Sequence, residues 1–413
     1  MTACAIEPTA EKGSSPVAEC AITADGAYAA RLARNGDSWF PERWTLDGPE
    51  PYSVPLPGNQ PEEPGTQVLP MGDGRVLIHR PIGGRHTFAL LYPTGPGTGE
   101  LPLGAVECPD PGTPLRLLPP APGGDRAYAL VLGPRSTTVW LVAGGAFGPE
   151  YVTEVPGRCS GGVWLDRTGR LLALDRESEG RTKAVVVDLE RAGEMSPLLQ
   201  ISAESNDRLL LADADSGLLL IGSDAPSPGG QERLGWGVLG STLPVRFPEC
   251  LRIDGCALTP FAIQPGQVLT PESCGVALRV EGPAGSWGAG SGGVRSWVGV
   301  WRPAERQVRH FPAPEGWLRG VGLWSRVGEL QLPYATREVP CGVARVWAEG
   351  AEGSEGAEEK GAALESGGAT STEADSPAPV AVARPVPLQQ APLGRLVTKT
   401  GKPGNEVTKL VTK

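Results

Sequence analysis

Short apolar segments of five to eight residues, separated by clusters of glycine, proline and aspartate, run along most of this 413-residue chain. They are rich in valine, leucine, tryptophan and tyrosine, as β-strands are. Seven of them follow a turn that ends in glycine, at Gly26, Gly74, Gly124, Gly169, Gly217, Gly266 and Gly328. Successive glycines are 48, 50, 45, 48, 49 and 62 residues apart. A period of about 40–50 residues built from short strands predicts a β-propeller.

Each repeat divides into four predicted strands. In the first repeat the strands are residues 18–24, 27–33, 42–48 and 52–58. The fourth strand of the fifth repeat is predicted at residues 244–250, and the second strand of the sixth at residues 267–273. Proline recurs in the predicted fourth strands, at Pro55, Pro102, Pro156, Pro197, Pro248, Pro312 and Pro385. Because proline cannot donate a ladder hydrogen bond, it favours the outer edge of a sheet. We therefore predict an all-β fold, a seven-bladed β-propeller of four-stranded antiparallel blades.

Composition divides the chain further. Residues 1–17 are predicted to be an N-terminal segment, residues 18–393 the propeller, and residues 394–413 a flexible basic tail. Within the seventh blade, residues 350–378 are acidic and rich in glycine, alanine and serine, which predicts a disordered insertion. The fourth strand of that blade is then Val380–Leu388, although the N-terminal Ala3–Pro8 is an alternative. Residues 281–295 form a second insertion, between the second and third strands of the sixth blade.

Charge and cysteine usage limit the function classes. The net charge is −10, and the mildly acidic body argues against nucleic-acid binding. No run of 18 apolar residues predicts a membrane span, and the N-terminus lacks a signal-peptide pattern. We expect a cytoplasmic monomer, bacterial by its high arginine-to-lysine ratio. Its eight scattered cysteines are then free thiols, with disulfides as the alternative if the chain is exported.

Few residues point to catalysis or metal binding. His79 and His86 lie seven apart on or beside the second and third strands of the second blade, where a metal or acid–base site would also need a carboxylate. Asp213 and Asp215 resemble half of a calcium loop, but a hairpin turn capped by aspartate explains them better. Tryptophan recurs in five third strands, which favours packing between blades over a ligand platform; these residues are Trp44, Trp140, Trp236, Trp301 and Trp347. We therefore assign no catalytic, cofactor-binding or metal-binding residue.

The fourth repeat resembles a known family. Its residues Trp164–Asp175, followed by Val185–Leu189, match the order of turn, glycine, apolar strand, charged turn and apolar strand ending in Asp-Leu. This order is similar to the PD40, or WD40-like, repeat of the TolB propeller and of the propeller half of prolyl-oligopeptidase-type proteins. Residues 24–48 are a second, weaker match. The resemblance implies the propeller fold and carries no catalytic residues, because in the peptidase relatives those lie in a separate hydrolase domain.

A complete propeller leaves almost no chain for a catalytic domain. We therefore expect a non-catalytic module that binds a protein or another ligand, with no cofactor and no membrane or nucleic-acid partner. The alternative is a propeller enzyme of the lyase, lactonase or hydrolase type, with its site at the central channel.

Overall fold

β-Strands make up nearly all of the regular structure. The computed structural model describes residues 20–63, 65–95, 97–108, 110–227, 230–282, 296–318 and 320–347. In those ranges it has 26 strands and two short 3₁₀ helices, and no α-helix. All of the strands lie in the compact part of the chain that spans residues 1–352. The all-β class predicted from the sequence is confirmed.

The strands form consecutive antiparallel units in which neighbours along the chain are neighbours in the sheet. Unit 1 contains β1 (Ala21–Ile22), β2 (Tyr28–Asn35), β3 (Ser38–Thr45) and β4 (Tyr52–Pro55). Unit 2 contains β5 (Gln67–Pro70), β6 (Val76–Ile82), β7 (Arg85–Pro93) and β8 (Thr98–Glu107). Unit 3 contains β9 (Leu115–Leu117), β10 (Ala127–Leu132), β11 (Ser136–Ala143) and β12 (Glu150–Pro156). Unit 4 contains β13 (Arg158–Trp164), β14 (Leu171–Ser178), β15 (Arg181–Asp188) and β16 (Glu194–Leu199).

The remaining strands continue this order. Unit 5 contains β17 (Asp207–Ala212), β18 (Leu218–Ser223) and β19 (Arg233–Val238). Unit 6 contains β20 (Ala257–Ile263), β21 (Val276–Glu281), β22 (Trp297–Trp301) and β23 (Arg309–Pro312). Unit 7 contains β24 (Leu323–Trp324), β25 (Glu329–Tyr334) and β26 (Gly342–Trp347). One parallel pair, Lys183 with Asp207, joins units 4 and 5 into a seven-stranded sheet.

The hydrophobic core lies between adjacent units. One cluster packs Leu77 and Phe88 of unit 2 against Leu117 and Ala129 of unit 3, and similar clusters lie between units 1 and 2 and between each later pair. The second strands carry much of this core, and β18 is buried along its whole length. Antiparallel units of up to four strands, each packed face to face on the next, are the architecture of a β-propeller.

The seven turn glycines are placed as predicted. Each lies between the first and second strand of its unit, with φ between 71° and 89°. A side chain at such a φ is strained, so glycine is the residue that lets these turns form. The period found in the sequence is therefore the period of one backbone turn.

Two strand assignments were wrong. In unit 6 the second strand is β21, Val276–Glu281, and the predicted segment 267–273 is a loop that ends in a 3₁₀ helix at Pro271–Ser273. In unit 5 the predicted fourth strand, residues 244–250, is reduced to one bridge between Trp236 and Arg246, followed by a 3₁₀ helix at Glu249–Leu251. Proline explains both cases, because Pro244, Pro248 and Pro271 have no N–H group for a ladder.

The predicted fourth strand of the seventh blade and its N-terminal alternative both lie outside the described residues, as do residues 1–17, the acidic insertion and the basic tail. The number of seven blades therefore stays a prediction. Residues 283–295, which make up most of the second predicted insertion, also lie outside the described residues, between β21 and β22.

Candidate functional site

The turns between first and second strands contact one another in succession. The Gly72 N–H, for example, donates a 2.8 Å hydrogen bond to the Gly124 carbonyl. We call the edge of the sheets that holds these turns, together with the connections between third and fourth strands, the turn face. The contacting pairs, in chain order, are Tyr28 with Gly74, Gly72 with Gly124, Pro122 with Gly169, Arg167 with Asp215, Asp215 with Gly266, Gly266 with Arg326, and Leu323 with Gly26.

A cavity of about 1150 Å³ is bordered by these turns and by first strands. Its lining residues come from every unit except unit 2, and they include stretches of β13 and β17. A volume of this size accommodates a small organic molecule or a short peptide segment. The cavity is therefore the candidate site, and its chemistry depends on the charged side chains in its wall.

Most of the acidic side chains in this wall accept hydrogen bonds from N–H groups of their own turns. Asp213 Oδ2 accepts hydrogen bonds from the Ser216 N–H at 2.8 Å and from the Ser216 hydroxyl at 2.6 Å. Asp25 and Asp166 accept backbone N–H groups of their own turns in the same way. The prediction of a turn capped by aspartate at Asp213 is thus confirmed. Among the described residues, no group of three or more histidine, cysteine or acidic side chains is placed to hold a metal ion.

The arginines of the wall fall into two groups. Arg167 forms a two-point ion pair with Asp215, and Arg345 forms an ion pair with Glu329 at 3.3 Å. Arg116 of β9, Arg208 of β17 and Arg326 in the turn of unit 7 are exposed, and their side chains make no hydrogen bond or ion pair with the described residues. Three guanidinium groups therefore line the cavity with their donors available, two of them on first strands.

Asp175 is a buried acid of the wall that does not cap a turn. It lies on β14, is 6% exposed, and reaches unit 5, where its Oδ1 accepts a 3.0 Å hydrogen bond from the Leu209 N–H. Burial raises the pKa of this carboxyl to about 6, although the Arg208 charge acts in the opposite direction. A buried acid with a raised pKa beside a cavity is typical of functional sites. No motif in the sequence around β14 marks this residue for a role.

The two candidate histidines contact each other, away from the cavity. His79 Nε2 lies 2.9 Å from His86 Nδ1, and His86 Nε2 lies 3.0 Å from the Thr113 carbonyl oxygen. Because a carbonyl only accepts, His86 carries its proton on Nε2 and accepts one hydrogen bond at Nδ1 from His79 Nε2–H. His79 Nδ1 then accepts from the Gln67 amide at 3.3 Å. All four ring nitrogens are thus engaged, so the pair is a structural relay between units 2 and 3.

Tryptophan packing varies among the five third strands. Trp44, Trp236 and Trp301 are buried, as the interpretation of packing between blades requires. Trp140 is half-buried and stacks edge-on against Tyr151 at 5.7 Å between ring centres. Trp347, at the end of β26, is 57% exposed and departs from the pattern.

Exposed apolar side chains concentrate on the turn face. Of the 13 large apolar side chains exposed in the described residues, ten lie at this edge. They include Leu269 at 91% and Phe147 at 98% exposure. The ten residues are Tyr52, Tyr92, Phe147, Tyr151, Leu239, Leu243, Val268, Leu269, Val327 and Trp347. Val268 and Leu269 lie in the loop between β20 and β21 of unit 6, and Val327 lies in the turn between β24 and β25 of unit 7.

Comparison with known proteins yields structures but no sequence family. Neither a protein-family model nor a curated protein matches the chain. It is similar to the β-propeller domain of the Trilobed protease from Pyrococcus furiosus, with 9% identity, a TM-score of 0.46, and 80% of this chain and 95% of that one covered. It is also similar to the putative TolB of Agrobacterium tumefaciens, with 13% identity and a TM-score of 0.36. That similarity covers 72% of this chain and 90% of the TolB chain.

A structure from a study of two prolyl endopeptidases is also similar, with 11% identity, a TM-score of 0.47 and 78% of this chain covered. The chain spans 46% of that protein's length. We base the fold on the sheet connectivity described above, since all three similarities are low. No helix in the described part of the chain is long and apolar enough to cross a membrane.

Proposed function

We propose that this protein is a non-catalytic binding module whose turn face contacts a protein partner. The observation that carries the proposal is the concentration of ten exposed apolar side chains at one edge of the sheets. Exposed apolar groups that cluster in this way mark interaction surfaces. Ile82 and Val339 are the exposed apolar residues found at the opposite edge, so the two edges differ in character.

Units 6 and 7 contribute four of these ten side chains. Val268, Leu269 and Val327 are 62%, 91% and 70% exposed. The Gly266 backbone packs against the Arg326 side chain, so these apolar groups belong to adjoining loops. Protein interfaces typically combine an apolar centre with a rim of polar and charged side chains, and these loops contain both kinds. Within this proposal the protein acts in the cytoplasm as a monomer and binds neither nucleic acid nor membrane.

Site-specific crosslinking tests the proposal. A photoreactive amino acid at position 269 should capture one defined protein in cells, whereas the same group at position 82 should not. Ile82 is a matched control because it is also apolar and exposed but lies at the opposite edge. The substitution Leu269→Asp should then weaken binding of the captured protein by about tenfold or more. Equal capture from both positions would contradict the proposal.

A propeller enzyme with its site in the cavity is the second candidate. Asp175 favours it, because a carboxyl whose pKa lies near 6 could exchange protons with a substrate at neutral pH. If this candidate holds, a panel of lactones and esters should contain a compound that the wild type converts and Asp175→Asn does not. The absence of turnover, with binding retained, would favour the non-catalytic module.

A further inference from the structure

The cavity wall beside Asp175 is shaped by a bulge of two glycines. In β13, Ser160 pairs with Asp175 and Val163 pairs with Ala173, so Gly161 and Gly162 lie outside the ladder. Their φ angles are 74° and 124°. A Cβ at Gly161 would lie 3.0 Å from Asp175 Oδ2, and one at Gly162 would lie 2.5 Å from a methyl group of Leu118. A bulge frees backbone groups from the ladder and leaves room above the carboxyl.

Asp175 has one oxygen for the protein and one available to the cavity. Oδ1 accepts the Leu209 N–H, and Oδ2 accepts no hydrogen bond from the described residues. The residue is 94% buried and borders the cavity at the glycine bulge. Oδ2 is accessible at the cavity surface, so a solvent or ligand group can hydrogen-bond to it. Oδ2 can therefore serve a ligand.

Strand alternation aims two arginines into the same space. In β9 the buried Leu115 and Leu117 flank the exposed Arg116, and in β17 the buried Asp207 and Leu209 flank the exposed Arg208. Successive side chains of a strand point to opposite faces. Each arginine therefore points away from its sheet core, and both line the cavity. Arginine binds carboxylate and phosphate groups through two parallel hydrogen bonds.

We propose that the cavity binds a small oxyanion, carboxylate or phosphate, through Arg116 and Arg208, with the Asp175 carboxyl beside the bound anion at the glycine bulge. The arginines supply the charge, and the glycine bulge supplies the space. The apolar surface of the turn face is separate from this site, so the site and the protein interface can each fail alone.

Calorimetric titration at low ionic strength, with inorganic phosphate and succinate as probes, distinguishes the two sources of the anion. We expect saturable one-site binding that is stronger for one of the two. Arg116→Gln and Arg208→Gln should each weaken it by about tenfold, and Arg208→Lys should retain part of it. Arg158→Gln is the matched control, because Arg158 is also an exposed first-strand arginine but does not line the cavity. Absence of binding of both anions, or an equal loss in the Arg158 control, would overturn the proposal.

The role of Asp175 has its own readout. Sulfate keeps its charge between about pH 5 and pH 8, so its affinity reports on the protein. The charged groups that act on Asp175 are Arg208 and Glu232. Binding should tighten as pH falls and Asp175 takes up a proton, and Asp175→Asn should abolish this dependence while Glu232→Gln retains it. Unchanged pH dependence in Asp175→Asn would show that the carboxyl does not face the ligand. Recovery of the organic probe unaltered by NMR separates binding from turnover.

Discussion

Two polar side chains reach from one unit to the first strand of the next, and they differ in what else they contact. Between units 2 and 3, Gln67 accepts the Leu117 N–H through its amide oxygen and donates to the Leu115 carbonyl, while its neighbour His79 is paired with His86. Between units 4 and 5, Asp175 accepts the Leu209 N–H and has its second oxygen beside the cavity. At neutral pH the first group is uncharged and fully partnered, whereas the Asp175 carboxyl is largely ionised and its Oδ2 accepts no hydrogen bond from the described residues.

The difference separates a structural role from a functional one. Neutral groups with every donor and acceptor paired stabilise a protein interior at little electrostatic cost. A carboxyl that is buried and incompletely paired destabilises the neutral-pH fold, so a protein retains one where it serves a ligand or a reaction. The two histidines attracted attention in the sequence because of their residue type, but geometry assigns them to packing. The aspartate is the stronger candidate.

The largest expected loss of stability comes from removing Asp207, which links unit 5 to Lys183 of unit 4. Asp207 is fully buried and accepts hydrogen bonds from Lys183, Ser205 and Ser223 at 2.6–2.9 Å. Asp207→Ala leaves the ammonium group of Lys183 without its carboxylate partner and should lower the free energy of unfolding by about 3–5 kcal/mol in urea denaturation. Asp37→Ala, at a fully exposed position, is the control and should change it by less than about 0.5 kcal/mol. A small loss at Asp207 would mean that units 4 and 5 are held by their apolar contacts alone.

Substitution of His79 in the histidine relay should cause the next largest loss of unfolding free energy. His79→Leu keeps the volume but leaves one N–H of the Gln67 amide and His86 Nδ1 unpaired, so it should cost about 2–3 kcal/mol of unfolding free energy. Ile82→Ala, on the same strand but exposed, should cost far less. If His79→Leu were neutral, the relay would not be structural and the comparison above would fail.

Asp175→Asn should stabilise the protein by about 2 kcal/mol at neutral pH. The raised pKa means that the charged carboxylate destabilises the fold by about 3 kcal/mol, which the neutral amide avoids. The amide oxygen is a weaker acceptor for the Leu209 N–H, and this difference offsets about 1 kcal/mol of the gain. Thermal denaturation near neutral pH measures the gain, with the exposed Asp254→Asn as control. A destabilised Asp175→Asn protein would show that the charge is needed for folding.

His79 and Asp175 should change the free energy of unfolding with pH in opposite directions, each by about 1 kcal/mol per pH unit. Burial and the neighbouring His86 lower the pKa of His79 to about 3, from 6.5 in the unfolded chain. The unfolded state therefore binds the extra proton, and the contribution of His79 is full above pH 6.5 and is lost as pH falls towards 3. Asp175 has a folded pKa of about 6 against 3.8 unfolded, so its contribution is full below pH 3.8 and is lost as pH rises through 6.

Unfolding free energies measured from about pH 4 to pH 6.5 test this pair of signs. His79→Leu should remove the component that rises with pH, and Asp175→Asn the component that falls. Two variants with the same pH slope as the wild type would refute both assignments.

The sequence predicted the fold well because it depends on local rules. A glycine at positive φ followed by an apolar strand is visible residue by residue, and proline marks outer strands. The same rule misplaced the second strand of unit 6, because Gly266 and the apolar residues after it imitate the repeat while the strand begins ten residues later at Val276. Where a loop is longer than usual, the period alone cannot locate the strand.

The candidate site could not be predicted in full, because it forms between units. Asp175 lies in the middle of β14, directly after the apolar residues 171–174, and only the packing of unit 5 against unit 4 shows that it is buried. A signal did exist for the arginines. Arg116 lies between two buried leucines, and Arg208 lies between the buried Asp207 and Leu209. This alternation indicates a strand that has one face in the core and the other face exposed to the cavity.

The parallel link between Lys183 and Asp207 also bears on the entropy of binding. Units 4 and 5 form one hydrogen-bonded sheet, so Asp175 of unit 4 and Arg208 of unit 5 are held at a fixed separation before any ligand arrives. A ligand that contacts both groups does not have to order one wall against the other, and more of its interaction energy is available as affinity. Arg116, on separate unit 3, lacks this rigid link, so it is the contact that would adjust to ligands of different length.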